Sequence, residues 1–329
     1  PWVKALFHEG SVKVIAEASR IDPPVPHEYK TYVDDVVSIS AGSGPDVQNL
    51  IVSVALAFRK HLIVKRKFVL SPKSAVVASD FKLARRVAEE LAGYGIAVQA
   101  SEAHRDLVVM FTAGVSRNNS LAKSRIDKAK KRTGKIIQVS RISRAARKLS
   151  VAGALPQATW GHQVFGFCPK YMLTIRRMAA SATGISQQSQ RCLTSTLVVC
   201  YGKRRDPWQT LLKELILVWI KLMPIHFRDR PNELRIAWSD AKQSLVTNGS
   251  VVWNRVSGLL SNVVANLMFL GWNPLSFSEW VDPDGDVWSL ATSEANVQRI
   301  SPALLIYNLQ DSGSLRFWKK AVPYPHRTL

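Results

Sequence analysis

The hydrophobic periodicity of this sequence changes several times along the chain. In the first third, short runs of β-branched residues alternate with longer stretches that have helical spacing. Ser43 or Asp46 can cap the first helical stretch, and Asp80 can cap the second. This alternation predicts an α+β fold. The β-branched runs cover residues 31–39, 68–70, 75–78 and 107–111, and the helical stretches cover residues 45–61 and 80–92.

The charge balance indicates a partner that carries dense negative charge. The 329 residues include 45 Lys and Arg against 24 Asp and Glu, a formal net charge of +21. Nucleic acid is the first expected partner and an anionic membrane the second. Since 47% of the residues are hydrophobic, wholesale disorder is excluded, and the length suits two or three domains.

The number of cysteines and the length of the apolar runs indicate the cellular compartment in which this protein is expected. Three cysteines without a Cys-x-x-Cys pair argue against a disulfide scaffold and a thiolate zinc site, so we expect an intracellular protein, nuclear or cytoplasmic. The first residues contain no signal-peptide core. The longest apolar runs, residues 51–58 and 215–220, are shorter than a bilayer span, which predicts no membrane partner.

Residues 117–149 form a strongly basic block in which Asp127 is the single acid. Apolar residues recur at steps of three and four on both sides of Thr133-Gly134, which predicts two amphipathic helices in a hairpin. One acid among so many bases removes ordinary ion pairing, so phosphate contact is favoured over a merely solvated face. The residues predicted to bind nucleic acid are Lys123, Lys130, Lys131, Arg141, Arg144 and Lys148.

Beyond Pro156 the sequence stays helix-rich, with helices predicted over residues 171–183, 208–222, 233–244 and 250–270. The segment from Trp280 to Trp288 then places an Asp-Pro-Asp-Gly turn between two Trp-bearing strands. Its aspartates suggest a calcium loop, but Gly285 comes too early for that motif, so a β-turn is favoured. We expect Trp272, Trp280 and Trp288 to pack in a core.

Residues 31–37 carry the strongest chemical signal. Tyr32-Val33-Asp34-Asp35 places two adjacent carboxylates between β-forming residues, where mutual repulsion disfavours a purely structural strand. At a hairpin tip, Asp34 and Asp35 can jointly hold Mg²⁺, which prefers hard oxygen ligands. Two such ions can activate a 3′-hydroxyl and steady a pyrophosphate leaving group. The alternative is a solvated turn in an ordinary hairpin.

This tetrapeptide resembles the Tyr-x-Asp-Asp motif of reverse transcriptase palms, especially those of non-LTR (LINE-type) retrotransposons. The segments that follow it resemble the family's later motifs in order. Leu70-Ser-Pro-Lys73-Ser74 is similar to the motif whose lysine is a candidate proton donor to pyrophosphate. Residues 105–109 are similar to the Leu-Gly-Val primer-grip hairpin, the basic block occupies the position of the thumb, and residues 155–162 resemble a segment downstream of the thumb.

The resemblance implies a partial palm over residues 1–115, a basic helical thumb over 116–150, a helical extension over 151–245, and a C-terminal helix with a Trp-bearing hairpin over 246–329. It implies RNA-directed DNA synthesis on an RNA template and DNA primer, with Asp34 and Asp35 as metal ligands, Lys73 as the acid and Tyr32 against nucleic acid.

The sequence departs from the family in two places. Val108 replaces the usual Gly of the primer grip, and the upstream motif with the third metal carboxylate has no match in residues 1–30. We therefore expect Mg²⁺ or Mn²⁺ in the intact enzyme but no tight binding to this chain, which needs the missing N-terminal palm and fingers. A non-catalytic nucleic-acid-binding remnant of a retroelement is the alternative, and an unrelated basic helical protein is the third.

Overall fold

The computed structural model of the chain describes residues 2–18, 20, 25–32, 35–106, 109–112, 116–185, 192–202, 206–227, 231–247 and 249–290. The chain forms two units, Pro1–Asn118 and Asn119–Leu329. Helices predominate and the strands are short, in agreement with the predicted α+β class.

The N-terminal unit is built around one long apolar helix. Its elements are α1 (Trp2–Ala18), β1 (His27–Tyr32), β2 (Asp35–Ser40), α2 (Gly44–Phe58, continued by a π-helical segment Arg59–Val64), β3 (Ala75–Val76), α3 (Phe81–Gly93), β4 (Gln99–Ala100), β5 (Ala103–Asp106) and β6 (Val109–Thr112). The predicted caps of α2 and α3 are present: Ser43 Oγ accepts a hydrogen bond from Asp46 N, and Asp80 Oδ1 accepts one from Lys82 N. These polar caps satisfy backbone N–H groups that lack helical partners.

Helix α2 is the core of this unit. Leu50 and Val54 on one side pack with Phe7 and Val14 of α1, whereas Val52 packs with Leu83 and its neighbours on α3. The helical segment Gly44–Val64 is 21 residues long with a mean hydropathy of 1.3, enough by length and composition to cross a bilayer. The core helix of a soluble protein passes the same test; here 33% of the window is buried, with α1 packed on one side of α2 and α3 on the other.

Three predicted strands of this unit differ from the structure. Residues 68–70 form no strand, because Phe68 packs edge-to-face on Phe7, with ring centroids 5.6 Å apart, and its N–H binds Leu62 O. The run 75–78 is reduced to β3, which pairs in parallel with β4. Of the run 107–111, residues 109–111 belong to β6, which pairs with β5 so that Asp106 lies opposite Val109, and residues 107 and 108 lie outside the described residues.

The C-terminal unit begins with the basic block. Its elements are α4 (Ser120–Ser140), a 3₁₀ turn (Arg144–Ala146), α5 (Arg147–Leu149), a π-helical segment (Ser150–Ala154), α6 (Leu155–Thr159), α7 (His162–Phe165), α8 (Pro169–Ser181), α9 (Leu193–Tyr201), α10 (Pro207–Phe227), α11 (Pro231–Ser244), β7 (Val246–Thr247), β8 (Ser250–Val251), a 3₁₀ turn (Trp253–Arg255), α12 (Gly258–Phe269), β9 (Asn273–Pro274), β10 (Glu279–Val281) and β11 (Val287–Ser289).

The predicted helical hairpin in the basic block is wrong. Helix α4 runs through Thr133-Gly134 without a break, and Thr133 Oγ1 donates a hydrogen bond to Ala129 O within the helix. The reason is a continuous row of buried residues along one face of α4, whose burial outweighs the roughly 1 kcal/mol that a mid-helix glycine costs. The chain turns instead after Arg141, where Ser143 caps the following 3₁₀ turn. The residues of this buried face are Ala122, Ile126, Ala129, Thr133, Ile136 and Ser140.

The predicted helix over residues 250–270 also needs correction. The helix begins at Gly258, whose φ of +81° is not helical, and residues 250–251 form β8. Residues 262–267 are all buried, so α12 is buried around its whole circumference, with the polar residues Asn262 and Asn266 included, and has no single apolar face. It packs in one large core with residues of α10, α11 and β10.

The Trp-bearing hairpin is confirmed. Trp280 of β10 pairs with Trp288 of β11, and Trp272 and Trp280 are fully buried in the core that contains α12. Asp282 organises the turn between the strands, since its carboxylate accepts hydrogen bonds from Asp284 N, Asp286 N and the indole N–H of Trp288. Both carboxylate oxygens of Asp282 accept hydrogen bonds within the turn, in agreement with the β-turn interpretation.

Candidate nucleic-acid interface

The β1–β2 hairpin brings the first and last residues of the Tyr-x-Asp-Asp tetrapeptide opposite each other. The two strands are antiparallel, and the last pair of their register joins Tyr32 with Asp35. Residues 33 and 34, which lie between them in the sequence, are outside the described residues. The hairpin predicted from the sequence is present, with Asp35 at the start of β2.

The base of the hairpin rests on the core of the N-terminal unit. Tyr29 of β1 and Val36 of β2 pack against the cluster that includes Leu50 of α2. His27 Nε2 lies 2.9 Å from Ser38 Oγ, a side-chain contact between the strands at the far end from the turn. These contacts fix the hairpin beside α2, as a two-stranded ribbon requires for stability.

The predicted metal ligands lie only partly in the described residues. Asp34 lies outside them, and for Tyr32 and Asp35 the structure describes the backbone alone. Among the described residues there is no group of three His, Cys, Asp or Glu side chains that could hold a metal ion. The predicted metal site at Asp34 and Asp35 therefore stays a prediction.

Lys73 lies in an exposed turn ahead of β3. Its N–H donates to Ser71 Oγ at 3.2 Å, and the next N–H, that of Ser74, donates to Ser71 O at 3.0 Å. A solvated turn holds its backbone, which leaves the ammonium group in water. The predicted role of Lys73 as a proton donor stays a prediction.

The six predicted basic contacts are all exposed, but they do not form one face. Lys130 and Lys131 are adjacent in one helix, so their side chains project about 100° apart. Lys130 also forms an exposed ion pair with Asp127, with Nζ and Oδ1 3.3 Å apart. Arg141 and Arg144 lie in the turn after α4 rather than on an antiparallel second helix, because α4 does not break where the hairpin was predicted. Lys148 belongs to the short helix α5.

A second set of bases on α4 is better aligned. Arg125, Lys128, Arg132 and Lys135 follow each other at spacings of three, four and three, which confines them to an arc of about 80°. We call these four residues the α4 stripe. Their spacing is visible in the sequence, but the total charge of the basic block does not distinguish these four residues from its other bases. The stripe gives one elongated cationic surface along the helix.

The α4 stripe borders the π-helical segment Ser150–Ala154 and the turn that follows α6. Arg125 Nη1 donates to Trp160 O at 2.7 Å, and its guanidinium lies 5.8 Å from the centre of the Phe165 ring. Arg132 Nη1 lies beside Gly153, 3.3 Å from where a Cβ would stand. These contacts fix which flank of α4 the stripe occupies.

The one strongly perturbed histidine in the described residues has a structural environment. His162 is buried, with Nδ1 3.1 Å from Thr159 O and Nε2 3.2 Å from Leu211 O. Burial lowers the pKa of His162 to about 4, against the opposing effect of the two carbonyl groups. Burial raises the pKa of Glu214, whose carboxylate lies 3.5 Å from Nε2. Asn262 Nδ2 donates to His162 O, so the histidine joins α7 to α10 and α12.

A small cavity beside His162 has room for about one water molecule and is lined mainly by apolar side chains. Such a space admits no organic substrate. Among the described residues, the basic surface of the C-terminal unit and the β1–β2 hairpin are the candidate functional features.

No protein-family model matches this chain, and neither a curated protein nor a solved structure matches it.

Proposed function

We propose that this chain is the C-terminal part of an RNA-directed DNA polymerase of the non-LTR retrotransposon kind, and that it binds an RNA template paired with a DNA primer. The observation that carries the proposal is the pairing of Tyr32 with Asp35 at the end of the antiparallel β1–β2 hairpin. Adjacent acids at such a tip suit the primer end, where a polymerase needs carboxylates.

The donor chemistry of the hairpin fits Mg²⁺ or Mn²⁺. Asp34 and Asp35 would hold the ion through carboxylate oxygens, the ligands that hard divalent cations prefer. When bound, the metal supplies charge stabilisation for nucleotidyl transfer. Two protein carboxylates leave the coordination of a catalytic ion pair incomplete, so a third from an upstream segment would complete it. This chain contributes the hairpin and the contacts that hold the duplex.

The basic surface of the C-terminal unit supplies the duplex contacts in this proposal. The α4 stripe runs along a 21-residue helix, and Asp127 pairs with Lys130, which lies outside the stripe. A cationic row of this kind, exposed at Lys128, Arg132 and Lys135, binds phosphates and releases their condensed counterions. Binding should therefore depend little on base sequence and strongly on salt.

The primer end provides the test of the polymerase proposal. A primer carrying 4-thiothymidine at its 3′ end is annealed to RNA, bound to the full chain and irradiated, and the cross-linked peptide is identified by mass spectrometry. We expect the cross-link in the peptide that contains Tyr32 to Asp35. A control primer with the photoreactive base ten nucleotides upstream should leave that peptide unlabelled.

The alternative function is nucleic-acid binding without catalysis. Val108 in place of the family's Gly favours it, since a side chain there restricts the approach of backbone to primer. In that case the chain binds the hybrid but the 3′-terminal base gives no cross-link to the hairpin. Hybrid binding together with a hairpin cross-link supports the polymerase lineage instead.

A salt titration tests the duplex contacts separately. Replacing Lys128, Arg132 and Lys135 by Gln should weaken hybrid binding and flatten the log–log salt slope by roughly 0.9 per lost phosphate contact. Helicity should persist, because Gln forms helices nearly as well as Lys or Arg. The matched control replaces two exposed lysines of α10, Lys213 and Lys221, and should leave the slope unchanged. An unchanged slope in the stripe variant would remove the basic surface from the proposal.

A further inference from the structure

Trp160 is exposed, whereas the other tryptophans that the structure describes pack. The side chain is 62% exposed, whereas every other tryptophan side chain that the structure describes is buried or partly buried. An indole buries a large apolar area when it packs, so leaving one in water forgoes a substantial stabilisation. An exposed indole next to a basic surface is therefore a candidate binding group.

The backbone under Trp160 is held firmly. The residue follows the last turn of α6, and its carbonyl accepts the hydrogen bond from Arg125 Nη1. Gly161 then adopts a φ of +79°, a left-handed conformation that suits glycine. A Cβ at Gly161 would lie 3.0 Å from the Phe165 ring, so the glycine allows close packing of the turn. The indole is thus presented on an ordered turn.

The neighbourhood of Trp160 is cationic. Arg125, which holds its carbonyl, is the first member of the α4 stripe, and Lys128 follows one helical turn later. Phosphates that follow the stripe toward the N-terminus of α4 therefore approach the Trp160 turn. This combination of a positively charged track with an exposed aromatic ring is the arrangement by which proteins hold single-stranded nucleic acid.

We propose that Trp160 is a stacking platform for an unpaired base, where a single-stranded extension leaves the duplex held by the α4 stripe. The proposal rests on the proposed binding of nucleic acid and adds a residue and a substrate feature to it. The indole stacks on the face of any base, so the site is indifferent to base identity and to the sugar. A duplex with an overhang is therefore a better ligand than a blunt one.

The experiment separates stacking from charge with three fluorescent probes bound to the full chain at one salt concentration. The probes are a blunt RNA–DNA hybrid, the same hybrid with a six-nucleotide overhang, and the same hybrid with an abasic overhang that keeps its phosphates. We expect the base-bearing overhang to bind about fivefold or more tightly than the abasic one, the lower end of what one stacked base contributes.

Variants assign this preference to Trp160. Trp160→Ala should abolish the preference for bases and leave the affinity for the blunt hybrid unchanged, whereas Trp160→Phe should retain most of the preference. The control is Val199→Ala, a change at a side chain that is 79% exposed on α9. It should leave all three affinities unchanged.

The outcomes for this inference and for the proposed function differ. Equal binding of base-bearing and abasic overhangs, or a preference that survives in Trp160→Ala, overturns the stacking platform while hybrid binding stands; Trp160 would then be a contact for another kind of partner. Failure to bind the blunt hybrid overturns duplex binding, whereas a Trp160-dependent preference for bases would still support the platform.

Discussion

Arg176 and Asp206 form a bidentate ion pair inside the C-terminal unit. Arg176 Nε lies 3.1 and 3.0 Å from the two carboxylate oxygens, and Nη2 lies 2.7 Å from Oδ2. The same guanidinium donates to Thr194 Oγ1, and Asp206 Oδ1 accepts from Trp208 N. The pair therefore connects α8, α9 and the start of α10, and both side chains are largely buried.

Breaking this pair should destabilise the C-terminal unit strongly. Asp206→Ala leaves the Arg176 guanidinium buried without its carboxylate, so the free energy of unfolding should fall by about 3 kcal/mol or more. Urea denaturation followed by tryptophan fluorescence measures the change. The control is Asp127→Ala, which removes the exposed pair with Lys130 and should cost less than about 1 kcal/mol. Equal effects of the two substitutions would mean that the Arg176–Asp206 pair is solvated in solution.

Lys67 is a position at which glycine should stabilise the protein. Lys67 has a φ of +58° directly after helical residues 65–66, a left-handed conformation that costs a residue with a Cβ roughly 1 kcal/mol. Lys67→Gly removes this strain and should raise the unfolding free energy by several tenths of a kcal/mol to about 1 kcal/mol. Thermal denaturation measures it.

The matched control for Lys67 is two residues earlier. Lys65 has right-handed helical angles, so Lys65→Gly should lower stability by up to about 1 kcal/mol. Destabilisation by both glycines would show that Lys67 is not left-handed in solution.

His162 should make the protein sensitive to mild acid. Its folded pKa of about 4 lies below the unfolded value of 6.5, so the unfolded state binds a proton first as the pH falls. Stability should therefore decrease between about pH 6.5 and pH 4, by at most about 3 kcal/mol for this group. His162→Gln should flatten the dependence in that window, as measured by urea denaturation at several pH values.

An unchanged pH dependence in His162→Gln would contradict this prediction. The carbonyl oxygens and Glu214 would then balance the effect of burial and hold the pKa of His162 near its ordinary value.

Asp282 should matter through its hydrogen bonds and not through a bound ion. Asp282→Ala leaves two backbone N–H groups and the Trp288 indole N–H without their acceptor, and should cost about 2 to 4 kcal/mol. Asp284→Ala, at an exposed position of the same turn, should cost much less. Added Ca²⁺ should not raise the melting temperature, and a clear increase would contradict the β-turn interpretation.

Local sequence signals determined the features that depend on neighbouring residues. Ser43 and Asp80 predicted the starts of α2 and α3, because a cap needs only its own side chain and the next N–H groups. The Asp-Pro-Asp-Gly turn predicted the Trp280–Trp288 hairpin for the same reason. The Tyr32–Asp35 hairpin followed from two β-forming runs around a short polar tip. Whether its carboxylates hold metal stays a prediction.

Tertiary packing decided the features in which local preference and burial disagree. Thr133-Gly134 favours a break in the helix. Helix α4 nevertheless continues, because Thr133 belongs to a buried face that only one uninterrupted helix can form. Residues 68–70 favour a strand, yet Phe68 packs on Phe7 and no partner strand reaches it in the described part of the chain. The alignment of Lys135 with the other members of the α4 stripe depends on the same continuous helix. The free energy gained by burying apolar surface is summed over contacts with residues distant in the sequence. It can therefore outweigh a local conformational preference of about 1 kcal/mol at a single residue.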